Sequence, residues 1–94
     1  MSDYRYIVIE TYNGTLEPST GAPPARPLPG QALSTSLKVE CSGSMRKLHP
    51  VGTKFLIKAK LTEAYGTPFL YSSYRWNYEV LSTSAAKAYI ERAK

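Results

Sequence analysis

Five of the seven prolines of this chain fall between Pro18 and Pro29, and that crowding restricts the fold more than any other feature of the sequence. Proline fixes φ and has no amide to donate. The stretch from about 14 to 31, loosened further by Gly14, Gly21 and Gly30, is therefore barred from the interior of a sheet. It is expected as a long loop or arm. Loops beyond about 15 residues without structure of their own are uncommon in compact domains and tend to be functional or mobile. The core must come from the flanking segments, and 94 residues leave room for a single domain over 1–94 with one core.

The flanking segments carry the two-residue period of strands. Tyr4 to Thr11 is aromatic and β-branched, which suits a pleated surface, and it ends at the turn signal Asn13-Gly14. Leu33 to Cys41 alternates, with Leu33, Thr35, Leu37, Val39 and Cys41 on one side and Ser34, Ser36, Lys38 and Glu40 on the other. Ser42-Gly43-Ser44 breaks that pattern, and His49-Pro50-Val51-Gly52 reads as a turn. Thr53 to Thr62 is the clearest strand, with Phe55, Ile57, Ala59 and Leu61 facing inward and Lys54, Leu56, Lys58 and Lys60 outward. Glu63 to Thr67 supplies a hairpin connection, with Gly66 available for a positive φ.

From Phe69 to Leu81 the apolar parity changes midway. Either Ser72-Ser73 forms a bulge or Ser73 to Asn77 is a loop between two short strands. Phe55 and Phe69 are expected in the core, and Trp76 is open between core and surface. Ser82 or Ser84 caps a helix over about 83–94, which docks on the sheet through Tyr89 and Ile90 because three turns are marginal alone. The expected fold is mainly β (α+β). It is a small curled antiparallel sheet or barrel of four to six strands, with one C-terminal helix and the Pro-rich segment as a long loop. A layered α+β fold is the alternative.

The residues argue against catalysis. Asp3, Glu10, Glu17, Glu40, Glu63, Glu79 and Glu91 are scattered, so no carboxylate pair announces itself. One cysteine and one histidine are too few for a transition-metal site, and the prolines between Gly21 and Gly30 deny the amides a phosphate loop needs. His49, before a proline in a turn, reads as a solvated or capping imidazole, and Cys41 as a small half-buried strand residue. The expectation is a non-enzymatic protein with no cofactor and no metal. Apolar runs such as Ile7-Val8-Ile9 are far below the roughly 20 residues of a membrane span, so no membrane partner is expected. The first residues lack the pattern of a signal peptide, and a lone cysteine suits a reducing cytoplasm.

Charge and rings point to binding. Residues 1–45 hold three Lys or Arg against four Asp or Glu, net −1, and 46–94 hold nine against three, net +6. Arg46, Lys47, Lys54, Lys58 and Lys60 are uninterrupted by any acid, which favours a local positive field. Lys54, Lys58 and Lys60 share a strand face, and Tyr71, Tyr74, Arg75, Trp76 and Tyr78 follow. Lysines neutralise phosphates while rings and guanidinium planes stack on bases, so nucleic acid, DNA or RNA, is the first expected partner. The candidate site is Lys54, Lys58, Lys60, Tyr74, Arg75 and Trp76. The alternative is a protein-interaction module, an adaptor or a homodimer, with Tyr74, Arg75 and Trp76 as the hot spot. Pro24-Ala25-Arg26-Pro27 also has the PxxP spacing of polyproline ligands.

Overall fold

A computed structural model describes residues 4–64 and 66–93. Met1 to Asp3 at the chain start, Tyr65 in the expected hairpin turn and Lys94 at the end of the expected helix lie outside the described residues. In chain order the elements are β1 (Arg5–Thr11), β2 (Ala25–Pro27), β3 (Lys38–Glu40), α1 (Gly43–Leu48), β4 (Lys54–Ala64), β5 (Thr67–Tyr71), β6 (Glu79–Leu81) and α2 (Thr83–Arg92). The protein is mainly β, a nearly closed six-stranded sheet with a C-terminal helix on one face.

The eleven-residue β4 is the spine. One of its edges pairs with β1 over Lys54–Ala59. The other pairs first with β6 over Lys54–Leu56 and then with β5 over Lys60–Ala64. β2 extends the sheet beyond β1 and β3 extends it beyond β5, giving the order β2-β1-β4-β5-β3. β2 and β3 then come into contact, which nearly closes the barrel. All pairs are antiparallel except β3 with β5, which run parallel.

Two apolar clusters hold the sheet from its two faces. Ile7, Ile9, Val39, Phe55, Ile57, Ala59, Leu70 and Met45 fill the inside of the barrel. On the outside, Val8 is covered by Ala86 and Ile90 of α2, with Leu28, Leu56, Leu81 and Tyr89 around them. This explains the unbroken Ile7-Val8-Ile9 run, since a strand buried on both faces has no need of polar alternation. α2 starts where Ser82 Oγ accepts a hydrogen bond from the Ala85 amide at 3.1 Å, and it docks through Ile90 and Tyr89 as expected. No helix among the described residues is long and apolar enough to cross a membrane.

Several local expectations change. The arm over 14–31 is packed down: Ala22, Pro23, Ala25 and Pro27 are buried, and β2 pairs Ile9 with Pro27 and Thr11 with Ala25. Proline is tolerated there because β2 is an edge strand, where a missing amide leaves no ladder partner unpaired. That packing also removes the PxxP match, since Ala25 and Pro27 face the interior. Only Lys38–Glu40 of the expected Leu33 to Cys41 strand is extended. Upstream, Ser34 and Ser36 hydroxyls bond each other at 2.6 Å and the Ser36 amide donates to Ser34 Oγ, a local alternative to a ladder. The break at Ser42 is a helix start instead, with Ser42 Oγ accepting from the Met45 amide at 3.3 Å.

The parity change after Phe69 is a loop. β5 ends at Tyr71 and β6 begins at Glu79, so 72–78 leaves the sheet. Leu70, not Phe69, is the core residue of β5: Leu70 lies opposite Val39 and is fully buried, whereas Phe69 is half-buried beside Thr62 on the outer face. Phe55 occupies the core as expected, with no exposed surface. Gly66 takes the positive φ of 78° in the β4–β5 connection.

Candidate basic and aromatic face

α2 covers only part of the outer face of the sheet. Leu56 of β4 lies beneath it, and further along the strand the same face carries Lys58 and Lys60. Strand register decides their neighbours. Tyr6 lies opposite Lys58 and Tyr71 opposite Lys60, and Tyr4, two residues before Tyr6, projects to the same side. The 72–78 loop then brings Trp76 onto this face. Its ring meets Tyr4 edge-on with centroids 4.7 Å apart and Tyr71 at 6.5 Å. Trp76 is therefore a half-buried surface residue outside the barrel core.

The lysines lie over these rings. Lys58 Nζ is 5.5 Å from the Trp76 centroid and 5.8 Å from that of Tyr4, and Lys60 Nζ is 5.8 Å from Tyr4. Lys58 and Lys60 have no acidic partner among the described residues. Glu40, opposite Tyr71 on the neighbouring β3, is paired with Lys38 at 3.5 Å.

Lys54 does not join them. Glu10 sits directly opposite it across the β1–β4 ladder, and Lys54 Nζ lies 3.6 Å from Glu10 Oε2 and 3.1 Å from the Gly52 carbonyl. Arg46 is withdrawn as well. Its guanidinium is buried and donates to Glu17 Oε2 at 2.6 Å and to the carbonyls of Pro23, Cys41 and Ser42. Of the five basic residues that have no acid between them in the sequence, two are thus neutralised by acids brought from elsewhere in the chain.

Tyr74 and Arg75 are at the tip of the 72–78 loop, held by the Ser73 hydroxyl and carbonyl, which accept from the Arg75 and Trp76 amides. The Arg75 guanidinium lies 5.5 Å over the Tyr74 ring, and its Nε donates to the Tyr74 hydroxyl at 3.1 Å. The inner side of the loop roofs a cleft of about 320 Å³ floored by Cys41, Met45 and Ile57. Burial pushes the Cys41 thiol up to about 11, with Arg46 partly opposing, so it is protonated at neutral pH and a poor nucleophile. His49 packs edge-on against Phe55 and Tyr78, its Nε2 3.4 Å from the Tyr78 hydroxyl. Among the described residues no three His, Cys, Asp or Glu side chains group closely enough to hold a metal ion.

The structure therefore brings together Lys58, Lys60 and Trp76, leaves Tyr74 and Arg75 at the adjoining loop tip, and separates Lys54. It adds Tyr4 and Tyr6, and it keeps Tyr71 of the ring-rich stretch beside the lysines. Tyr6 of β1 and Tyr4 just before it are read from sequence only as strand formers, although Tyr4, Tyr6 and Val8 share one parity. Comparison with protein-family models, curated proteins and solved structures found no match.

Proposed function

We propose that the protein is a non-enzymatic module that binds nucleic acid through the part of the outer face formed by Tyr4, Tyr6, Lys58, Lys60, Tyr71 and Trp76. The carrying observation is the pair of lysines, without acidic partners among the described residues, set on a floor of rings. A long, exposed cation–π contact stabilises by about 0.5–1 kcal/mol. Stacking of an unpaired base on an aromatic ring contributes about 1–3 kcal/mol. An incoming base therefore displaces the ammonium group from the ring, and the freed lysine turns to the phosphate. A cytoplasmic location, where a lone thiol stays reduced, fits this reading.

The test is titration of labelled single-stranded and duplex oligonucleotides at about 50 to 200 mM salt. Reversing both charges, Lys58→Glu with Lys60→Glu, is expected to abolish binding while the circular dichroism spectrum and melting temperature stay close to wild type. Unchanged affinity would remove this face from the site. The second reading, a protein partner or a second copy of the chain, rests on Tyr74, 69% exposed with Arg75 stacked on it. It gains if no oligonucleotide binds at the lowest salt.

A further inference from the structure

Beside Trp76 the outer face sinks into an open cleft of about 370 Å³, within the roughly 300–1,000 Å³ of small-molecule sites. Tyr6 stands on its β1 side, Leu56 and Lys58 lie along β4, and Trp76, Asn77 and Glu79 close the other side. Register explains the arrangement. Glu79 lies opposite Leu56 and Tyr6 opposite Lys58, so a carboxylate and a ring from strands on either side of β4 share its outer face. Asn77 and Glu79 are exposed and make no side-chain hydrogen bond or ion pair within the described residues, so both have free hydrogen-bonding capacity.

We infer that this cleft is a nucleobase pocket of a single-stranded nucleic acid, and that Glu79 makes it select bases bearing an exocyclic amine; the inference rests on the nucleic-acid reading of the face. A duplex hides its base faces, so only an unpaired base enters between Tyr6 and Trp76. Once there, its edge meets Glu79, which as a carboxylate only accepts hydrogen bonds, and Asn77, whose amide both donates and accepts. Cytosine and adenine each offer an amine beside a ring-nitrogen acceptor, which the carboxylate and the amide donor match, and guanine offers an amine beside a ring N–H, both donors to the carboxylate. Thymine and uracil have only the ring N3–H to donate, and it is flanked on both sides by carbonyl oxygens that the carboxylate repels. Lys58 at the same cleft offsets the repulsion between Glu79 and the backbone phosphate.

Cytosine against thymine or uracil is the diagnostic comparison, because all three are pyrimidines and stack alike. Fluorescence anisotropy at about 50 mM salt, with short homopolymers of cytosine and thymine deoxynucleotides and of cytosine and uracil ribonucleotides, separates base from sugar. The expected result is about tenfold tighter binding of cytosine on both backbones, within the range one well-placed pair provides. Glu79→Gln removes a negative charge and so tightens every complex, but the amide also donates to a carbonyl. The cytosine preference should therefore fall to about twofold or less. Equal affinity for cytosine and thymine in the wild-type protein, with salt-sensitive binding to both, overturns the base pocket and leaves the face standing. Absence of binding to every oligomer overturns the face itself.

Discussion

At the residue scale, the most consequential contact outside the site is Arg46 with Glu17, because it turns a cation that looks free in the sequence into a clamp. Arg46 is nearly inaccessible and ties α1 to the Pro-rich segment through Glu17 and the Pro23 carbonyl. Its hydrogen bond is the largest cause holding the Glu17 carboxyl below its ordinary value of 4.5. A carboxyl lowered on folding contributes stability that is complete above its unfolded value and disappears as pH falls through the folded one. The wild-type protein should thus melt higher than Glu17→Gln near neutral pH, and the gap should narrow as pH falls below about 4.5 and close once it has passed the lowered folded value, beneath which both proteins present a neutral partner to Arg46. Thermal melts across that range check this, and a gap that persists undiminished at acid pH would mean the ion pair is not its source.

At the element scale, what was legible followed local patterning. The alternation of β4 and the spacing of α2 are each written in a short window, and Phe55 and Ile90 land where their periodicity places them, whereas Leu61, expected inward, is exposed where β4 runs beyond the core. The ends of the Pro-rich segment were not legible, because β2 exists only through partners more than ten residues away. Past Leu28 the backbone turns off at Pro29 and Gly30, and the Gln31 side chain takes over as a ladder partner for β1. Its Oε1 accepts from the Val8 amide at 2.7 Å, and its Nε2 donates to the Val8 and Leu28 carbonyls at 2.8 and 2.9 Å. Val8 is fully buried, so Gln31→Ala leaves its amide without a partner. The expected cost is about 1–3 kcal/mol of unfolding free energy. Denaturant titration measures it, and a loss below about 0.5 kcal/mol would show that water replaces the side chain. Register, which no single strand encodes, is also why Tyr4 and Tyr6 escaped notice as neighbours of Lys58 and Lys60.

At the scale of the whole molecule, folding redistributes charge that the sequence appears to concentrate, and this sets a quantitative expectation for binding. The net charge of +5 and the acid-free run from Arg46 to Lys60 suggest five phosphate contacts. The fold spends Arg46 on Glu17 and Lys54 on Glu10, and Lys47 lies on α1, outside the face. Lys58 and Lys60 remain on the face, with Arg75 at the neighbouring loop tip as a third cation. Each phosphate neutralised on a single strand adds about −0.7 to the slope of log affinity against log salt. Two to three contacts then give a slope between about −1.4 and −2.1, whereas five give about −3.5. A measured slope in the shallower range, reduced further by Lys58→Gln, supports a compact site whose remaining affinity comes from stacking on Trp76 and the tyrosines. A slope near the steeper value would mean that the phosphates run past the aromatic face and draw Lys54 or Arg46 out of their ion pairs, which a site confined to the bare end of β4 does not allow.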